Sequence, residues 1–197
     1  MLNDDCLTHI FLHLPIVDRV RIERVCKRWR AVSHESWHNV KKLDLLYSTW
    51  GFPLTSKRSE ISTVTLRKIL LRCGRFLTEI NLSQLSRQSS QSTLTIVGKL
   101  CPNLQKINVS TLCVSASGIN SLTSNCHDIT SFSIGFTTYT CDTDLQKLFK
   151  VNEKLRYLNI ARNTMSGRCL LYLPAEAVEE IILEKCTFLQ QDKLSQV

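Results

Sequence analysis

Cys6, His9 and His13 fall at i, i+3 and i+7, so on a helix they share one face, and His34 and His38 stand four residues apart. Thiolate and imidazole at such spacings are the raw material of a zinc site, and a cysteine with a histidine is the pairing of a nucleophilic enzyme. The surroundings support neither. The first trio has no evident fourth ligand and lies opposite Leu7, Ile10 and Leu14, where a solvated helix face belongs. The second pair has no cysteine near it in sequence. The six glycines are scattered, without a phosphate-cradling loop or a G-x-S-x-G elbow. The reading is therefore of no catalytic residue, no metal and no cofactor. Binding is the function left to explain.

The nine cysteines agree with that. An odd number without a tight even framework suits a reducing compartment rather than a disulfide scaffold. No stretch approaches the roughly 20 apolar residues that span a bilayer. Asp4 and Asp5 stand where a secretory signal would be basic. An intracellular, soluble protein of the cytoplasm or nucleus is expected, with no membrane partner. At 197 residues, 43% hydrophobic and 21% charged, the chain can hold one sizeable domain or a small one docked on a larger one.

The larger element is a repeat. One apolar frame, anchor-x-x-apolar-x-apolar, recurs as Leu77-Ile80-Leu82, Leu104-Ile107-Val109, Ile129-Phe132-Ile134, Leu155-Leu158-Ile160 and Val178-Ile181-Leu183. The anchors lie 27, 25, 26 and 23 residues apart, inside the leucine-rich-repeat range. Each unit reads as a helix, such as 66–73 or 94–101, then a turn and a short strand. Cys73, Cys101 and Cys126 precede their anchors by three or four residues, where a small side chain packs under the turn. Strand side chains alternate, so the anchors point inward. Glu79, Asn81, Lys106, Asn108, Ser131, Ser133, Tyr157, Asn159, Glu180 and Ile182 then line the concave sheet, and that surface as a whole is the candidate binding site.

Residues 1–39 break the period. Leu7, Ile10, Phe11 and Leu14 form the stripe of an amphipathic helix, ended by Pro15. A second helix, N-capped by Asp18, is expected to carry Ile22, Val25, Cys26, Trp29 and Val32 on one face. Trp37 follows in a short third segment, and Val40-Leu43-Leu45 reads as a first strand. Helices this short bury little area alone and need the solenoid or a partner. Residues 46–63, with Gly51 and Pro53, read as an irregular lead-in, and 86–92 as a second polar loop. The end after Cys186 is too short for another unit, which suggests a fragment, a short isoform or an edge covered by a partner.

Leu2-Asn3-Asp4-Asp5, Leu7, Ile10-Phe11, Leu14-Pro15, Val25-Cys26-Lys27-Arg28-Trp29 and Trp37 resemble an F-box. With cysteine-bearing repeats following at once, nearly the whole chain resembles the F-box/leucine-rich-repeat family, whose members are substrate receptors of SCF-type ubiquitin ligases. The implied fold is a small all-helical F-box (1–39) before an α/β leucine-rich-repeat solenoid (40–197), with parallel strands inside and helices outside. The implied function is non-catalytic. Leu7, Ile10, Phe11, Leu14, Pro15, Val20, Val25 and Trp29 would dock on a Skp-family adaptor, which links to cullin, while the repeats hold a protein substrate. Asn3 stands where the family usually has proline after its first leucine.

Two other classes compete. Residues 51–110 hold nine Lys/Arg against Glu60 and Glu79, part of a net charge of +8, so a nucleic-acid-binding solenoid is conceivable. That window offers only Phe52 and Phe76 for base stacking, which makes nucleic acid the weaker partner. The other is a repeat scaffold outside ubiquitin transfer, using the same concave face.

Overall fold

A computed structural model describes residues 2–45, 49, 61–85, 92–135 and 142–187. The loops expected at 46–63 and 86–92 lie largely outside the described residues, as does the chain end after 187.

The N-terminal lobe holds α1 (Asp4–Leu12), α2 (Ile16–Ile22) and α3 (Lys27–Ser36), followed by a 3₁₀ turn over Trp37–Asn39. Two helices stand where the pattern suggested one. The break comes at Cys26, whose extended backbone lets its sulfur accept the Trp29 N–H and open α3. Asp18 is not a cap; Pro15 holds the N-cap of α2, and Asp18 pairs with Arg21 one turn on, at 2.9 Å. Proline at that position loses nothing, because a helix start leaves its amides unbonded anyway.

The rest is one sheet with its strands in chain order: β1 (Lys42–Asp44), β2 (Glu79–Asn81), β3 (Lys106–Val109), β4 (Ser131–Ile134), β5 (Tyr157–Asn159) and β6 (Glu180–Ile182), all parallel. The units pack helices α4 (Thr63–Cys73), α5 (Thr93–Leu100), α6 (Ala116–Asn125) and α7 (Asp142–Val151) on its other side. The stacking is regular in hydrogen bonds too. The Lys41 carbonyl accepts from Thr78 and Glu79, that of Thr78 from Gln105 and Lys106, and that of Gln105 from Thr130 and Ser131.

Every anchor from Leu77 to Ile160 is at most 2% exposed, and Val178, Ile181 and Leu183 pack on the core's far end partly buried. Cys73, Cys101 and Cys126 are sealed beneath the turns, and Asn152 takes the equivalent place before Leu155. Its side chain accepts the Ile129 N–H at 2.8 Å and donates to the Leu148 carbonyl at 2.9 Å, so one amide ties two units together. Gly98 and Gly118 let α5 and α6 approach closely. A Cβ on Gly98 would lie 2.7 Å from the Ser121 carbonyl carbon, and one on Gly118 2.9 Å from Leu94 Cβ. The fifth unit departs from the expected helix. Gly167, at φ 87°, and Pro174 bracket a 3₁₀ turn over Arg168–Tyr172 in its place. Proline cannot continue a helix, so the stretch is too short for α turns.

The core does not divide at residue 39. Ile16 and Trp37 belong to the solenoid's apolar cluster, with Val17, Val20 and Val40 packed against it. Among the described residues, Leu7, Phe11 and Val32, backed by Leu14, Ile22 and Trp29, form a separate small core.

Candidate functional site

The first candidate surface is built on the N-terminal lobe. Asn3 caps α1 by accepting the Cys6 N–H on Oδ1 at 2.8 Å, which explains a polar residue where the resemblance expects proline. Arg28 crosses from α3, donating to Asp4 Oδ1 at 2.8 Å and to the Leu2 carbonyl at 2.6 Å. Phe11 packs on Trp29 with ring centroids 5.3 Å apart. This arrangement sorts the expected docking residues. Leu7 and Phe11 are 4% and 1% exposed and serve as the lobe's own core, not as a free face. Leu14 and Trp29 are half-buried against them, Pro15 is half-buried, and Val20 faces the solenoid. Ile10 and Val25 remain as open apolar side chains, 46% and 61% exposed, joined by Leu2 at 55%. A period-3.6 stripe marks which residues share a face, but not which of them a neighbouring helix covers. That is why the sequence grouped them.

The second surface is the strand face. In register across the sheet run Lys42, Glu79, Lys106, Ser131, Tyr157 and Glu180, and beside them Asp44, Asn81, Asn108, Ser133, Asn159 and Ile182. The expected residues therefore do come together. A shallow groove of about 390 Å³ runs over β1 to β5 and includes Lys42 and Asp44, which the sequence reading passed over although they flank Leu43 by the same alternation. Glu79 is bracketed by Lys42 Nζ at 2.9 Å and Lys106 Nζ at 3.2 Å, and hydrogen bonding from Lys42 leads in holding its carboxyl below the usual range. The asparagines do more than face solvent. Asn81, Asn108 and Asn159 accept the N–H two residues on, from Ser83, Ser110 and Ala161, and so turn the chain out of each strand. Ser133 is recessed at 8% exposure, whereas Tyr157 is half-buried and Lys106 and Glu180 stand open.

Between the two surfaces lies a polar seam with no sequence signal. Glu23, 6% exposed, accepts from Arg72 Nε at 2.9 Å and Nη2 at 2.8 Å and from Trp37 Nε1 at 3.2 Å. Arg19, 4% exposed, lies 4.2 Å over the Trp37 ring and donates to Ser36 Oγ at 2.8 Å. Burial pulls its pKa down to about 10.

A family model described as the F-box domain matches residues 1–41. Residues 1–41 are an F-box domain. The F-box stands directly before the six-stranded parallel sheet, an architecture consistent with a leucine-rich-repeat solenoid. The chain is 32% identical over 129 residues to human F-box/LRR-repeat protein 12, and 31% identical over 129 residues to its mouse counterpart. These alignments take in 62% of this chain and 36% of each relative. A Caenorhabditis elegans protein named "Putative RNA-binding protein EEED8.10" is 28% identical over 120 residues, 60% of this chain and 16% of its own length. The chain thus spans well under two thirds of the curated relatives it matches.

His9 and His13 pack edge to face at 4.9 Å, and His38 Nδ1 meets Glu35 Oε1 at 3.1 Å. Among the described residues no group of three or more His, Cys, Asp or Glu is placed to hold a metal, and no helix is long and apolar enough to cross a membrane.

Proposed function

We propose that this chain is the substrate receptor of an SCF-type ubiquitin ligase. The F-box docks on a Skp-family adaptor and through it on cullin, and the concave strand face holds a protein substrate. The observation that carries the reading is the joint between them. The F-box is keyed into the solenoid core by Ile16 and Trp37 and clamped by Glu23 on Arg72, so a surface at one end is held in fixed relation to a face on the other. A receptor of this kind supplies no chemistry. It raises the effective concentration of a substrate lysine near a charged ubiquitin carrier, which is a matter of position. Its place is the cytoplasm or nucleus.

Within this reading Ile10 and Val25 lead the adaptor contacts, with Leu14, Pro15 and Trp29 shaping the surface around them, and residues 40–197 serve the substrate. Co-purification with a Skp-family adaptor, and its loss on Ile10→Asp with Val25→Asp, is the test.

The nematode relative's name favours a second reading, an RNA-binding solenoid on the basic 51–110 region. Two cations of that window are already engaged: Arg72 with buried Glu23 and Lys106 with Glu79. A phosphate backbone asks for uniform positive charge, so the mixed face fits a protein epitope better. Salt-dependent binding of single-stranded RNA without adaptor binding would favour the second reading, or a scaffold outside ubiquitin transfer if neither is seen.

A further inference from the structure

The seam leaves a groove of about 590 Å³ between α2 and α4. Ile16, Val17, Val20 and Ile69 form its apolar walls, and Arg21, Arg24, Lys68 and Arg72 its rim. Arg21 meets Asp18 and Arg72 meets Glu23, while Arg24 and Lys68 add exposed charge to a lining that contains no carboxylate. On α4, Lys68 stands on a ridge. Thr65, Ile69 and Arg72 turn into the groove, and Val64 and Leu71, 64% and 60% exposed, form a strip on the other shoulder.

We propose that this groove is a second docking site, for an acidic amphipathic helix of a partner protein other than the adaptor. The chemistry follows from the lining. Aliphatic walls take the apolar stripe of a helix, and a cationic rim selects acidic residues flanking that stripe. Nucleic acid is a poorer match, because the walls offer no aromatic ring for a base to stack on. The site is distinct from the open apolar pair that leads the proposed adaptor surface: neither Ile10 nor Val25 lines it, although Val20, one of the expected docking residues, forms part of its wall, and four of its nine lining residues come from the first repeat helix. It does not rest on the adaptor reading.

The test uses the full chain and a fluorescein-labelled helical peptide of about 15 residues, with leucines at i, i+3, i+4 and i+7 and glutamates beside them. Expected is saturable binding, weakened at least about tenfold in an Arg24→Glu, Lys68→Glu double variant and retained in Arg24→Lys, Lys68→Arg. Both side chains are exposed, so the melting temperature should not move. A scrambled peptide of equal composition should bind at least about tenfold more weakly, and saturating adaptor should leave the peptide in place. Absence of binding, equal binding of the scrambled peptide, indifference to charge reversal, or displacement by the adaptor, by poly(U) or by phosphatidylserine vesicles would each overturn the proposal. Adaptor affinity measured on the same protein scores the ligase reading independently.

Discussion

Glu23, just past α2 in the F-box, and Arg72, in the last turn of the first repeat helix, meet as a two-pronged ion pair across 49 residues of sequence, Nε to Oε1 at 2.9 Å and Nη2 to Oε2 at 2.8 Å. Burial alone would raise the Glu23 pKa. Hydrogen bonds from Arg72 and Trp37 outweigh it and hold the carboxyl below its usual range. A pair this buried is costly to break from one side, because the remaining charge is left without a partner.

Arg72→Ala should therefore lower stability by about 3 kcal/mol, the low end for a buried pair since Arg72 is itself partly exposed. A carboxylate with a depressed folded pKa contributes stability above its unfolded pKa of about 4.3 and loses it as pH falls through the folded value. Urea melts between pH 7 and pH 3 should show Glu23→Gln less stable than wild type at pH 7, with the gap closing below about pH 4. A gap independent of pH would mean that the charge of Glu23 does not hold the seam.

Ile107→Asp and Phe132→Asp each bury an unpaired charge at positions 1% and 0% exposed. A loss of several kcal/mol is expected, enough to unfold the array. Circular dichroism and a melting curve check it. Unchanged spectra in both variants would contradict the repeat register.

The cysteines give a chemical map of the same packing. Burial pushes the Cys73 and Cys126 thiols up to about 12, and raises Cys101 and Cys169 as well. Thiolate is the reactive form, so iodoacetamide at pH 8 should label exposed Cys6 and Cys26 in the folded protein and reach those four only in denaturant. Mass spectrometry of the labelled peptides reads the result, and rapid native labelling of Cys101 or Cys126 would count against the fold.

Tyr157→Ala should leave adaptor affinity within about twofold and weaken substrate capture by at least about tenfold. Tyrosine offers contact area at low entropic cost, and Tyr157 sits between Ser131 and Glu180 on the open face. Adaptor affinity and ubiquitination of substrates returned by a proximity screen, measured on the same protein, decide it. Loss of both together would contradict the division between the two surfaces.

The sheet was legible because a frame repeated five times places its anchors inside at once, and the concave residues follow by alternation. The N-terminal lobe was legible as amphipathic helices but not in its packing. Phe11 and Ile10 are neighbours in one stripe, yet Trp29 covers the first and leaves the second open, a choice made by a helix that folds back from residues 27–36. The seam had no signature at all. Arg19, Glu23 and Arg72 sit among charged residues that elsewhere face water, and only tertiary packing buries the first two and partly covers the third. Pro174 and Gly167, visible in the sequence, could have warned that the fifth unit has no α-helix.

Calorimetric titration of a purified Skp-family adaptor into this chain tests the central claim most directly. The account predicts saturable one-to-one binding, weakened at least about tenfold by Ile10→Ala with Val25→Ala at unchanged melting temperature, since about 1.4 kcal/mol or more of exposed apolar contact is lost. Phe11→Ala should instead cost about 3–5 kcal/mol of F-box stability and remove binding through unfolding. No adaptor binding by the folded wild-type chain, or full binding by the Ile10 and Val25 variant, would contradict it.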